Sequence, residues 1–160
     1  MQSDREMVRE PTSPVEAVAR VDSAAPWAFF ACTGRGYAVR LEQIVEIVPP
    51  QPITRLPGCG PAVCGLIGLR GRLITVFDLG VLTGGEPSAA REEYRVLLVR
   101  RGDRVVGMAV DELVTIGALG EAVQPMTIEA GADHGRHGLA VGGRTFIILD
   151  PDRIIGPLLA

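Results

Sequence analysis

Lysine and asparagine are both missing from this 160-residue chain, and all 16 of its basic residues are arginine. Both absent residues use A-rich codons, so the bias fits a GC-rich coding sequence. The missing lysine excludes a Walker A phosphate loop, a Schiff-base enzyme and a Ser–Lys dyad. Aromatic residues make up only 4% of the chain, so its core has to be built from Val, Leu and Ile, with Phe29, Phe30, Phe77 and Phe146 as the few large fillers. No apolar run approaches the roughly 18 residues of a membrane span. The first ten residues are charged with no apolar segment behind them, which predicts no export signal. Cysteine is scarce and odd in number, at Cys32, Cys59 and Cys64. Reduced thiols in the cytosol are therefore expected. Acids balance the scattered arginines to a net charge of −3, leaving no basic stripe for nucleic acid.

At 47% hydrophobic and 22% charged, the chain can bury a real core. Residues 1–26 mix charges, Pro11, Pro14 and Pro26 without periodicity, and predict a disordered N-terminal tail. From residue 27 to 160 short apolar runs alternate with glycine. They are Trp27–Thr33, Tyr37–Leu41, Ile44–Val48, Leu66–Leu69, Leu73–Phe77, Arg95–Arg100, Val105–Val110, Leu113–Ile116, Leu139–Val141 and Thr145–Leu149. Four to seven residues rich in Val and Ile, bounded by turn residues, read as strands. Gly34-Arg35-Gly36 joins the first two runs. Gly102-Asp103 and Gly142-Gly143 have the composition of tight hairpins. Asp150-Pro151 reads as an N-cap and first helical residue for a short helix, and Asp78–Leu82 as a single turn. About ten strands at this spacing predict an all-β sandwich or barrel.

Catalytic patterns fail in turn. Ser88 has no G-x-S-x-G elbow around it. Asp111 and Glu112 are strand neighbours that point to opposite faces, so they cannot work as an acid–base pair. Gly34-x-Gly36 lacks the third glycine and the helix of a dinucleotide loop. Arg101-Gly102-Asp103 reads as a turn rather than an adhesion signal. Cys59, Cys64, His134 and His137 offer the donor types of a zinc or redox-responsive site, but the histidine spacing is short and some seventy residues separate the pairs. No cofactor is implied, and binding is the function left. Two charges interrupt apolar patterns: Glu46 within Ile44–Val48, and Arg70 after Leu66–Leu69. A solvent-facing edge strand and an ordinary turn would account for them equally well.

The segment Ile53-Thr54-Arg55-Leu56-Pro57, then Gly65–Gly71 as GLIGLRG, then Leu73–Leu79 as LITVFDL, resembles the signature of the CheW-like family. That signature reads I-T-R-x-P, G-x-x-N-L-R-G and x-I-x-P-V-x-D-L. Glu46-Ile47 lies where the family has V-x-E-I, and Val105–Asp111 resembles its V-V-G-x-x-V-D run. Gly138-Leu139 and Ile147–Ile155 resemble its closing strand and helix. The likeness runs from about Phe29 to Ile155 in order.

It implies two small five-stranded SH3-like β-barrels packed together, with a third apolar layer between them and one or two short helices. It further implies a non-enzymatic cytoplasmic adaptor, recruited to membrane-associated arrays. Such an adaptor couples the cytoplasmic tips of methyl-accepting chemoreceptors to the regulatory domain of the histidine kinase CheA. Carried over by position, Ile44, Glu46, Thr54 and Arg70 would contact partners, and Gly65 and Gly71 would lie at turns needed for binding. Glu46 and Arg70 are expected to pair across neighbouring strands, amid Ile44, Ile67 and Leu69. Gly68, Thr75 and Gly80 replace the signature asparagine, proline and arginine. These departures keep open a divergent scaffold of another chemosensory pathway.

Overall fold

The computed structural model describes residues 26–118, 124–127, 137–141 and 143–158. Of the expected tail, residues 1–25 lie outside the described residues, while Pro26 already opens the first strand.

Eleven strands are described: β1 Pro26–Cys32, β2 Arg35–Arg40, β3 Ile44–Val48, β4 Val63–Leu69, β5 Arg72–Asp78, β6 Arg95–Arg101, β7 Arg104–Val110, β8 Glu112–Ala118, β9 Gln124–Thr127, β10 His137–Val141 and β11 Arg144–Ile148. Ten of them coincide with the apolar runs to within a few residues. The eleventh, β9, has the sequence QPMT and shows neither alternation nor β-branched enrichment before Thr127. It lies at the outer edge of its sheet, the place where a strand tolerates Pro125. Two one-turn helices complete the set: α1 Leu79–Leu82 and α2 Pro151–Ile155. Each begins after an aspartate that accepts a backbone N–H, Asp78 from Val81 and Asp150 from Asp152.

The strands form a five-stranded sheet of order β3-β6-β7-β5-β4 and a six-stranded sheet of order β8-β1-β2-β11-β10-β9. Apart from β9 the two follow one plan. A tight hairpin (β6–β7, β1–β2) lies parallel to the second strand of another hairpin (β4–β5, β10–β11), and that second strand leads into a short helix. The outer partner of each first hairpin is exchanged. The chain leaving β2 crosses to pair β3 with β6, and the chain leaving β7 crosses back to pair β8 with β1. Each sheet is thus completed by a strand that follows the other sheet's hairpin.

Turn chemistry fixes the hairpins. Thr33 and Gly34, at φ 52° and 76°, connect β1 to β2, and Arg70 and Gly71, at φ 50° and 76°, connect β4 to β5. Positive φ at both central residues is the conformation that matches strand twist. The first turn therefore lies one residue ahead of the expected Gly34-Arg35-Gly36, because Arg35 is already paired with Cys32.

Alternation along the central strands sorts side chains into three apolar layers. Trp27, Phe29, Ala38, Leu139 and Phe146 fill the six-stranded sheet. Ile67, Val76, Tyr94, Val96 and Leu98 fill the five-stranded one. Between the sheets lie Phe30, Tyr37 and Val39 from one side, Phe77, Leu97, Val99 and Met108 from the other, and Leu149, Ile154 and Ile155 from the C-terminal end. Strands buried on both faces read as continuous apolar runs rather than as alternating ones. That is why β1, β6 and β7 stood out in the sequence.

Because the middle layer is shared, the two sheets should unfold together. Leu97→Ala opens a cavity in that layer and is expected to cost about 2–5 kcal/mol. Trp27, the single tryptophan, lies in the other sheet and provides the probe. Its urea midpoint should fall in step with the far-UV circular dichroism midpoint. An unmoved tryptophan midpoint would mean that the sheets unfold independently.

Candidate functional site

Glu46 lies on β3 and Arg70 in the turn after β4, so their strands are the two edges of the five-stranded sheet rather than neighbours. The pairing is nonetheless made, and it is bidentate. One guanidinium nitrogen donates to Glu46 Oε1 at 2.7 Å and the other to Oε2. The expectation of adjacent strands is corrected: the sheet curls until its edges meet, and the ion pair spans the seam. A second contact closes the same seam. Thr54 and Leu66 exchange N–H···O=C bonds of 2.8 Å in each direction, pinning the chain that leaves β3 onto β4.

Gly65 makes that pinning possible. It lies inside β4 at a register shift, not at a turn, and has φ +138°. A Cβ there would lie 2.2 Å from the Thr54 carbonyl oxygen. Only a residue without a side chain permits the approach. Gly71 supplies the second positive φ of the β4–β5 turn. Arg70 supplies the first, in a region that long L-residues seldom occupy.

The apolar surroundings differ from the expected set. Ile67 is fully buried in the interior of the five-stranded sheet, and Leu69 packs against the same layer. Ile44 is half-buried against the middle layer. A register shift between Ile44 and Glu46 leaves Val45 as the extra residue, 45% exposed. Leu73, beyond the Arg70-Gly71 turn, is 76% exposed. The exposed apolar side chains on these strands are therefore Val45 and Leu73, while Thr54 presents its own side chain to solvent.

The ion pair is an outer feature. The Glu46 side chain retains 29% of its exposure and that of Arg70 72%. Hydrogen bonding from the Arg70 guanidinium holds the Glu46 carboxyl below its ordinary value of 4.5, and the same contact raises Arg70. Exposure of the guanidinium to water makes such a contact a device for orientation more than for stability.

A second polar constellation went unrecognised in the sequence. Ser88 is completely buried. Its hydroxyl donates to Asp111 Oδ1 at 2.6 Å, so the Cys32 thiol 3.2 Å away donates to Ser88 Oγ in turn. Asp111 also accepts from the Thr33 N–H at 3.0 Å and pairs with Arg91 at 3.2 Å. Asp78, only 2% exposed, accepts the backbone N–H groups of Val81, Ser88 and Ala89, and the Cys64 thiol lies 3.5 Å from it. No local pattern around Ser88 marks it as buried, because its partners are 56 and 23 residues away. Of the proposed Cys/His set, Cys59 and Cys64 line one cavity. His134 lies outside the described residues, and His137 opens β10.

Two sheets on one plan with exchanged strands define a double-sheet β module. The same fold occurs in the crystal structure of the scaffolding protein TtCheW from Thermoanaerobacter tengcongensis, with a TM-score of 0.70 at 20% identity, over 79% of this chain and 89% of that one. The family model for the CheW-like domain matches residues 27–157, and the chain belongs to that family. Among curated relatives, the chemotaxis protein CheW of Bacillus subtilis (strain 168) is 35% identical over 52% of this chain and 53% of its own length. Protein PilI of Pseudomonas aeruginosa is 34% identical over 52% and 47%. The chain spans about half the length of these two relatives. With the chemotaxis protein CheW of Klebsiella aerogenes the match extends over 79% of this chain and 78% of the relative, at 23% identity.

Two outcomes test the seam. Gly65→Ala should destabilise the fold by roughly 2–4 kcal/mol in urea unfolding, since it adds both a clash and a strained φ. Gly68→Ala, where a Cβ meets nothing within 4 Å, should leave stability unchanged within error. Equal effects would remove the special role of Gly65. The carboxyl carbon of Glu46, followed by NMR, should titrate below 4.5, and Arg70→Ala should move it back up. Because the folded value is the depressed one, the pair contributes above the unfolded carboxyl value and is lost as pH falls through the folded one. An identical midpoint in both proteins would contradict the pairing.

Proposed function

We propose that this protein is a chemosensory adaptor that couples the cytoplasmic tips of chemoreceptors to the histidine kinase CheA, acting through the seam that carries Glu46, Thr54, Arg70 and Gly71. The observation that carries the reading is convergence. Of the six residues singled out by resemblance to a family of adaptors, 46, 54, 65, 70 and 71 meet at one closure of the five-stranded sheet, while Ile44 packs against the middle layer. An exposed bidentate ion pair offers a polar anchor of fixed geometry, and Leu73 and Val45 supply exposed apolar surface on the adjoining strands. Arginine is among the residue types enriched at protein–protein hot spots. Among the described residues no helix is long and apolar enough to cross a membrane.

A second reading, a divergent scaffold of another chemosensory pathway, is supported by Gly68, Thr75 and Gly80, where the signature residues differ. The similarity to protein PilI points the same way, since that relative is not named for chemotaxis.

Arg70→Asn removes the guanidinium while suiting the left-handed turn. Affinity for the receptor-tip fragment, for the CheA regulatory domain, or for both is expected to fall roughly tenfold or more. The thermal midpoint should not fall. Unchanged affinity for both partners would remove the seam from the binding surface. Binding to the kinase alone in the native chain would favour the divergent scaffold.

A further inference from the structure

A cavity of about 650 Å³ opens beside the seam, between the segment joining β3 to β4 and the turn that holds Ser88. Cys59, Cys64, Asp78, Arg55 and Tyr94 are among its lining residues. Nothing in the adaptor reading uses the two thiols. The Val63 N–H donates to the Gly60 carbonyl at 3.1 Å, which makes Gly60–Val63 a β-turn. Cys59 and Cys64 are the residues immediately outside that turn. A β-turn holds its first and last Cα atoms within about 7 Å, so the chain reverses between the two cysteines and keeps them near the span a disulfide needs. Both residues also line the same cavity.

The environments of the two differ in a useful way. Cys59 is exposed and open to a small reagent. Cys64 is half-buried, its thiol 3.5 Å from the Asp78 carboxylate. Burial, reinforced by that carboxylate, pushes Cys64 up to about 12, so it stays protonated and does not react first. Cys32, the third thiol, is sealed in the middle layer and pushed up to about 11 by burial.

We propose that Cys59 and Cys64 form a reversible dithiol–disulfide site that responds to small hydroperoxides. The Cys59 thiolate attacks one oxygen of the hydroperoxide. The O–O bond breaks, the alkoxide or hydroxide leaves and takes up the thiol's proton, and Cys59 becomes a sulfenic acid. The Cys64 sulfur then attacks the Cys59 sulfur. The S–O bond breaks, and hydroxide leaves with the Cys64 proton as water. Two thiols have lost one electron each, and the peroxide has gained two. A dithiol reductant returns both sulfurs by exchange. This site does not rest on the adaptor reading, and its test does not involve receptor or kinase.

Arg55 and Arg70 make the experiment simple, since trypsin releases Leu56–Arg70 with both cysteines on one peptide. The full chain is treated with hydrogen peroxide, denatured, alkylated and digested. That peptide should appear unalkylated and lighter by two hydrogens, and dithiothreitol added before alkylation should restore both thiols, while Cys32 is alkylated throughout. Cys64→Ser should stop the reaction at a Cys59 sulfenic acid that dimedone captures, and Cys59→Ser should leave Cys64 reduced. The disulfide should also form faster in the folded chain than in urea. Sulfinic acid or an intermolecular disulfide at Cys59 with Cys64 still alkylated would overturn the proposal. So would equal rates in the folded and unfolded chains.

Discussion

The middle apolar layer is the constraint on which the rest of the molecule depends. Phe30, Tyr37, Leu97, Met108 and Leu149 are all almost completely removed from water, and they come from both sheets. Neither sheet could present this face to solvent, because each would then expose an apolar surface of the kind that soluble monomers avoid. Exchange of β3 and β8 follows from the same layer. A chain that has just contributed β2 to the middle layer needs only the short 3-10 turn Leu41–Gln43 to enter the opposite sheet. With each sheet lending the other an outer strand, backbone hydrogen bonds and side-chain burial enforce the same arrangement.

Closing sheets around such a layer forces polar groups inside, and the molecule handles them by concentration. Asp78 and Asp111 stand at the ends of β5 and β7, where the chain must turn without leaving the core. A buried carboxylate is tolerable only when its oxygens are satisfied. Asp78 does this with the N–H groups of three residues that start α1 and the Ser88 turn, so it organises two local structures at once. Asp111 gathers Ser88, Thr33 and Arg91 and so joins the β1–β2 turn to the β5–β6 connection. These networks account for the burial of Ser88 better than any local propensity does.

What the sequence disclosed and what it concealed divide along the same line. Strands buried on both faces were legible, because β1, β6 and β7 need uninterrupted apolar runs. Tight turns were legible where glycine had to supply positive φ. Glu46 and Arg70 were legible as charges inside apolar patterns, and their bidentate contact is found. The identity of their strands as opposite edges was not, since sheet order depends on a crossover that no local pattern encodes. Neither β9 nor the buried setting of Ser88 left a local trace. The bulge that turns Val45 outward was equally silent, because a one-residue shift reverses which side chains reach the surface.

Arg70 shows how the seam divides its duties. Closure itself is carried by uncharged backbone: the reciprocal Thr54–Leu66 bonds and the glycine that lets those chains approach. Arg70 adds little that water would not replace, and it holds a left-handed turn position that glycine or asparagine would occupy with less strain. A residue that is suboptimal for its backbone and exposed in its charge is poorly explained by folding alone. Strain of this kind tends to persist where the side chain's fixed position has a use. With Glu46 gripping it from the opposite edge, the guanidinium cannot swing freely as a lone surface arginine would. On the proposed reading, a partner meeting this surface would find the charges already oriented and would lose less conformational entropy in engaging them. The separation matters physically: the charged pair can change without opening the seam, because the closure beneath it is made by the main chain.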